Sequence, residues 1–178
     1  MCLQEAFHGP TRRALARRFP YAFRKLTHRF CLRLHSGLMI LSRSPLRSRG
    51  GRIFHGESAG GRDEDAWVDK GIMTAEVDLP HGPIRFFNTH LQSGPHPGIR
   101  ATQIEIAARF AGEFPGPAVL AGDLNLENSE EPSLDPLLRL GFRSVKTAAT
   151  KPDGGQRFDR LLVRDVEVLD VELARTPW

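Results

Sequence analysis

Four apolar runs in this 178-residue chain end in polar residues of a particular kind. Glu5 follows Cys2-Leu3-Gln4, and His90 follows Phe86-Phe87-Asn88-Thr89. Asp123 and Asn125 follow Val119-Leu120-Ala121, and Asp159 follows Arg157-Phe158. Such a set offers hard oxygen donors for a divalent cation, groups that can take a proton from water, and donors for charge spreading over phosphoryl oxygens. That is the equipment of phosphodiester hydrolysis. Each residue alone has a plainer account. Glu5 suits the first turn of a helix, and a single His90 suits a hydrogen-bonded core position. Asp123-x-Asn125 suits a turn in which both side chains bond their own backbone, and Asp159 suits a surface ion pair with Arg157 or Arg160. The joint pattern, four strand ends delivering polar residues to one rim, is what favours the chemistry.

The elements that must position these residues follow from hydrophobic periodicity and turn residues. Met1 to Gln4 reads as the end of a buried strand, and Thr11 to Arg18 as a helix with Pro10 in its first turn. Phe30 to Leu34 and Leu38 to Leu41 flank His35-Ser36-Gly37 as a hairpin would. Ser42 to Asp65 turns to Ser, Arg and Gly and reads as a long surface loop. Ile72 to Leu79 and Ile84 to Asn88 are antiparallel strands around the reversal Pro80-His81-Gly82-Pro83. Ile99, Gln103, Ile106, Ala107 and Phe110 recur at helical spacing after Pro97, up to Gly112. Ala118 to Ala121 is a short buried strand, Pro132 to Leu140 a helix capped by Gly141, and Arg157 to Val163 and Val166 to Val171 the last strands. Strands outnumber helices and mix with them, which predicts an α/β sandwich in a single domain spanning 1–178.

Composition narrows the class. At 40% hydrophobic residues the chain can bury one continuous core. No basic, apolar and small-residue leader opens the sequence, and Gly37 to Leu41, its longest strongly apolar stretch, is far below the roughly 18 residues of a membrane helix. The chain as written is expected in the cytoplasm, with the proviso that an export signal would lie upstream of Met1. Cys2 and Cys31 belong to no CxxC motif and read as thiols rather than a disulfide. The net charge of +4 conceals an asymmetry: residues 1 to 50 hold eleven Arg and Lys against one acid, and the remainder fourteen against twenty, giving +10 and −6. The basic segment suits a polyanion or an anionic lipid surface; Arg12, Arg13, Arg17 and Arg18 equally suit the solvated face of a short helix.

Five motifs, in order, carry a family resemblance: Cys2-Leu3-Gln4-Glu5, Ser36 to Arg43 (SGLMILSR), Asn88-Thr89-His90-Leu91-Gln92, Gly122-Asp123-Leu124-Asn125 and Phe158-Asp159-Arg160-Leu161-Leu162-Val163. They resemble successive motifs of the endonuclease/exonuclease/phosphatase superfamily, the DNase I-like proteins. The resemblance implies a four-layer α/β sandwich, two mixed sheets face to face with helices outside. It implies a Mg²⁺- or Mn²⁺-dependent phosphodiesterase in which Glu5 is the metal carboxylate and His90 bonds the scissile phosphate. Asp123 would orient or deprotonate the attacking water, Asn125 would hold the phosphate or nucleophile, and Asp159 would orient a second histidine. Asp65 five residues before Lys70-Gly71, Thr89 to Gln92, and Arg100 with Gln103 are similar to the neutral sphingomyelinase branch, with Lys70 and Arg100 implied as phosphate contacts. The expected partner is a phosphodiester, phospholipid or nucleic acid, met by a monomer with peripheral contact to an anionic surface. Two family motifs, an Asn-bearing first strand and a closing Ser-Asp-His, are not among these residues. The domain is therefore expected to be incomplete and weakly active by itself, the alternative being a catalytically dead remnant that binds phosphate or metal.

Overall fold

The computed structural model describes residues 1–24, 26, 35–55, 65, 67–145 and 158–172. In chain order the elements are β1 (Cys2–Leu3), α1 (Gly9–Arg17), β2 (Tyr21–Phe23), β3 (Met39–Ser42), β4 (Leu46–Ile53), β5 (Gly71–Leu79) and β6 (Gly82–His90). They continue with α2 (Pro97–Gly112), β7 (Ala118–Asp123), a 3-10 turn over Asn128–Leu134, α3 (Asp135–Leu138), β8 (Arg143–Ser144) and β9 (Asp159–Arg164). The strands form two sheets, a small antiparallel one in the order β1-β3-β2 and a larger mixed one in the order β4-β5-β6-β7-β9-β8.

β5 and β6 are inner strands of the larger sheet, paired from Gly71 opposite His90 to Leu79 opposite Gly82. The reversal lies where Pro80 and His81 predict it, and Gly82 takes a φ of 118°, which a residue with a Cβ rarely adopts. β5 is covered on both faces, so it reads as a nearly continuous apolar run. On one face Met73 and Ala75 pack against Leu38 and Ile40 of the small sheet. On the other, Ile72 and Phe87 join Ile104, Ala107, Phe110 and Ala111 of α2. Phe87 meets Phe110, Phe114 and Phe142 at centroid distances of 6.3, 6.0 and 6.5 Å, within the range of favourable aromatic pairs. Small sheet, large sheet and helices are thus successive layers of an α/β fold, as the sequence leads one to expect.

β6 and β7 run parallel, and α2 is the crossover that a parallel pair requires. Gly122 is where the two strands come closest at the polar end: a Cβ there would lie 2.1 Å from the Thr89 carbonyl oxygen. Asn88 sits inside the sandwich and donates from Nδ2 to the carbonyls of Leu3 and Met39, both at 2.9 Å. Its Oδ1 accepts from Gln4 Nε2 at 2.5 Å. One buried amide therefore fixes the small sheet over β6, two residues before His90.

Three expectations are revised, and one falls outside the described residues. The stretch from Ser42, expected to be loop, contains β4, which pairs with β5 from Leu46 opposite Val77 to Ile53 opposite Gly71. As an edge strand with mostly exposed side chains it lacks the apolar alternation of a half-buried one, and its Arg47, Arg49 and Arg52 guard the sheet edge. Residues 56–64 lie outside the described residues. Pro132 to Leu140 is not one helix but the 3-10 turn followed by the four-residue α3, because Pro132 and Pro136 each lack the N–H that an α-helix bonds. Residues 166–172 form no strand: Asp165, with a φ of 52°, turns the chain away after β9 and leaves Leu169 89% exposed. β3 pairs with β1 and β2; the hairpin partner expected at Phe30 to Leu34 lies outside the described residues, as does Cys31. Cys2 is a free thiol pushed up to about 11 by burial.

Candidate active site

Register brings three of the polar residues into one row. His90 ends β6 opposite Asp123 on β7, and Asp123 is opposite Asp159 on β9. Partners in register share a sheet face, with strands about 4.8 Å apart. His90 Nε2 lies 3.8 Å from Asp123 Oδ2. His90 is only 4% exposed, and its Nδ1 is buried without a hydrogen-bond partner among the described residues.

The other contributors arrive from loops. Glu5, exposed just after β1, holds a left-handed φ of 52°, and the chain beyond it is pinned by Ala6 N–H donating to the Gly37 carbonyl at 2.9 Å. Its charge reaches both Asp123 and Lys70. Asn125, also left-handed at 50°, donates its backbone N–H to Asp123 Oδ1 at 2.9 Å and its Nδ2 to the Leu91 carbonyl at 3.1 Å. The turn chemistry that Asp and Asn prefer is therefore realised, and it holds one Asp123 oxygen in place while leaving the other toward His90.

Lys70 is the surprise. It is 1% exposed, and its Nζ pairs with Asp65 Oδ1 at 2.9 Å. Asp65 Oδ2 accepts from the backbone N–H and hydroxyl of Ser93, both at 2.8 Å, and these bonds with Lys70 hold its carboxyl below the usual range against the cost of burial. A cation buried at the base of the rim sets its electrostatics. Burial lowers the Lys70 pKa, opposed by Asp65, Asp123 and Glu5. Burial and then the Lys70 charge push His90 down to about 4, so at neutral pH it is an uncharged imidazole. Asp123 moves the other way, up to about 6, through burial first and then the negative charges of Asp159 and Glu5.

Arg100, expected at the phosphate, is placed elsewhere. It is 2% exposed, and Nε and Nη2 make a two-pronged pair with Glu130 at 2.8 and 2.6 Å. Nη1 donates to the carbonyls of Gln92 at 3.2 Å and Gly94 at 2.5 Å. Gln103 Oε1 accepts from Gln92 N–H at 2.9 Å. Both α2 side chains, one turn apart, therefore hold the loop that leaves His90, and Glu130 extends the hold to the segment after Asn125. Asn88 and Glu130 are positioning residues that the sequence reading did not single out; an Asn inside an apolar strand is a usable signal for the first, and nothing local marks the second.

For a divalent cation the donor chemistry fits. Glu5, Asp123 and Asp159 are oxygen donors whose mutual repulsion adds to burial in raising the Asp123 pKa, an excess of negative potential that a hard cation relieves. Among the described residues no three His, Cys, Asp or Glu are gathered closely enough to hold a metal by themselves. Mg²⁺ commonly takes one or two carboxylates and completes its shell with water and substrate oxygens.

Fold and site together define a class, a DNase I-like α/β sandwich with a polar row at the strand ends. The chain belongs to the Endonuclease/Exonuclease/phosphatase family, whose sequence profile matches residues 1–177. Over 111 residues, 53% of this chain, it is 35% identical to Sphingomyelin phosphodiesterase 5 of Danio rerio; the match spans 20% of that protein's length. The fold is similar to a beta toxin mutant of Staphylococcus aureus with bound magnesium ions, with a TM-score of 0.75 at 18% identity over 91% of this chain and 69% of that one. It is also similar to D. rerio TDP2 complexed with a single-strand DNA product, with a TM-score of 0.64 at 17% identity over 92% and 69% of the respective chains.

Proposed function

We propose that this chain is a Mg²⁺- or Mn²⁺-dependent phosphodiesterase acting on a sphingomyelin-like phospholipid. The observation that carries the reading is the His90–Asp123 pair: a buried neutral imidazole whose Nδ1 has no partner among the described residues, with its Nε2 3.8 Å from a carboxylate of raised pKa. A carboxylate near pKa 6 is a competent proton acceptor at neutral pH, better matched to water than an ordinary one. In the proposed reaction water attacks phosphorus and its proton passes to Asp123 Oδ2, while the phosphorus–oxygen bond to the leaving group breaks and the departing alkoxide takes a proton from solvent water. His90 gives a neutral hydrogen bond to a phosphoryl oxygen, Asn125 keeps Asp123 oriented, and Lys70 supplies positive charge beneath the developing negative charge. Glu5, with Asp159 in the row, would hold the cation, which when bound would neutralise phosphoryl oxygen charge. The lipid substrate is supported by the zebrafish relative and by the Asp65, Lys70 and Thr89 to Gln92 pattern.

The test is metal-dependent hydrolysis of sphingomyelin in liposomes, run beside plasmid DNA and bis-p-nitrophenyl phosphate. Turnover on sphingomyelin with Mg²⁺ that disappears with EDTA, and falls roughly 100-fold or more in His90→Ala and Asp123→Asn, is expected. Hydrolysis of DNA in place of lipid moves the substrate to nucleic acid. Metal or phosphate binding without turnover on any of the three sinks the hydrolase reading and leaves a binding remnant of the same fold.

A further inference from the structure

The first twenty-four residues place an unusual amount of positive charge on one face. α1 buries none of its residues, so it is not held by a core stripe as most surface helices are. Its Arg13 and Arg17, four apart and on one helix face, border a surface cavity of about 450 Å³ together with Arg24, which follows β2. Phe19, Pro20 and Ala22 supply apolar walls. Arg13, Arg17 and Arg24 enter no ion pair or side-chain hydrogen bond among the described residues, whereas Arg47, Arg52, Arg85 and Arg100 elsewhere each have a carboxylate. Arg12, half-buried beside them, is held below its ordinary guanidinium pKa by burial and by the charge of Arg24. Its Nη1 donates to His35 Nε2 at 2.5 Å, and its Nε is buried with no partner among the described residues. Charges of one sign have been gathered without a counter-ion among the described residues.

We propose that this α1–β2 face docks on an anionic lipid bilayer, with Arg13, Arg17 and Arg24 receiving the phosphate of a lipid headgroup in the cavity. Guanidinium forks match phosphate geometry, and a polybasic surface is drawn to an anionic leaflet. Tyr21, 39% exposed at the start of β2, offers the amphipathic ring that settles at a membrane interface. A short helix with arginines on one side and Leu15 and two alanines between them has the composition of an element lying flat on that interface. A nucleic acid would instead call for a groove that tracks a backbone past successive stacking rings. The face adjoins the candidate active site: His35, bonded to Arg12, stacks on Phe7 at 5.8 Å, and Gly37 lies between Phe7 and the backbone of Glu5. Docking here would therefore bring the rim beside the membrane that holds the proposed substrate. The binding itself does not depend on turnover.

Co-sedimentation with vesicles tests it, using phosphatidylcholine alone and phosphatidylcholine with phosphatidylserine, in EDTA so that no hydrolysis contributes. The chain is expected to bind the anionic vesicles, to release as salt rises, and to lose roughly tenfold or more affinity in Arg13→Glu/Arg17→Glu. The control is Arg109→Glu/Arg139→Glu, the same change in net charge on exposed arginines of the α2–α3 face, and it is expected to bind within about twofold of the parent. Equal loss in both double variants would reduce the effect to net charge and overturn the proposal. So would failure of the parent to bind anionic vesicles, or tighter binding of single-stranded DNA that Arg13→Glu/Arg17→Glu abolishes. The sphingomyelin assay of the same double variant in detergent micelles, where no bilayer is present, separates the two proposals, since the active site should be unchanged there.

Discussion

His90 and Asp123 titrate in opposite senses, and their stability effects oppose each other across the same pH range. Folded His90 carries fewer protons than the unfolded chain between about 4 and 6.5, so its contribution rises with pH through that window and is lost as pH falls below it. Folded Asp123 carries more protons than the unfolded chain between 3.8 and about 6, so its contribution is present at low pH and lost as pH rises through about 6. The parent should therefore show a nearly level melting temperature from pH 4 to 6 in EDTA. His90→Gln should expose the falling limb, and Asp123→Asn the rising one, each by about 2–3 kcal/mol over the window. Thermal melts across that range decide it; parallel curves for all three proteins would show that the pair is not coupled to folding. At pH 7.5 without metal, Asp123→Asn should be more stable than the parent while losing turnover, as expected of a site whose function requires a strained charge.

At the scale of elements, the loop after β6 is held by α2 rather than by its own sequence. Arg100→Met would leave the Glu130 carboxylate buried without its cation and two carbonyls without a donor, a loss of about 3–5 kcal/mol. Arg100→Met/Glu130→Leu should recover much of that, because the uncompensated charge goes with its partner. Urea midpoints compare them, and an additive pair of losses would count against the coupling. Gly122→Ala is expected to cost about 1–3 kcal/mol, since the new Cβ must displace the Thr89 backbone at the point where β6 delivers His90 to Asp123. A fully stable Gly122→Ala protein, by denaturant melt, would show that the strands can part there freely.

The whole molecule is a large sheet with a layer on each face, and the apolar side chains meet at Phe87 beneath the helices and at Met73 and Ala75 beneath the small sheet. Phe87→Ala should destabilise by about 3–5 kcal/mol, read from the denaturation midpoint, because three aromatic neighbours lose a shared partner. Much of this was legible in the residues themselves: short apolar runs bounded by turn residues marked β5, β6 and β7, helical spacing after Pro97 marked α2, and polar residues at the run ends marked the rim of Glu5, His90, Asp123 and Asp159. A periodic pattern reports which side of an element is buried, and that signal needs no knowledge of the partner. The tertiary structure alone decided that an Arg- and Gly-rich stretch becomes β4, because an edge strand is recruited by the open hydrogen bonds of β5 rather than by its own side chains. It also decided that Lys70 is buried against Asp65 and that Arg100 is used up by Glu130. A long cation reaches many possible partners, and which carboxylate it meets depends on chain segments that only folding brings within a few ångströms.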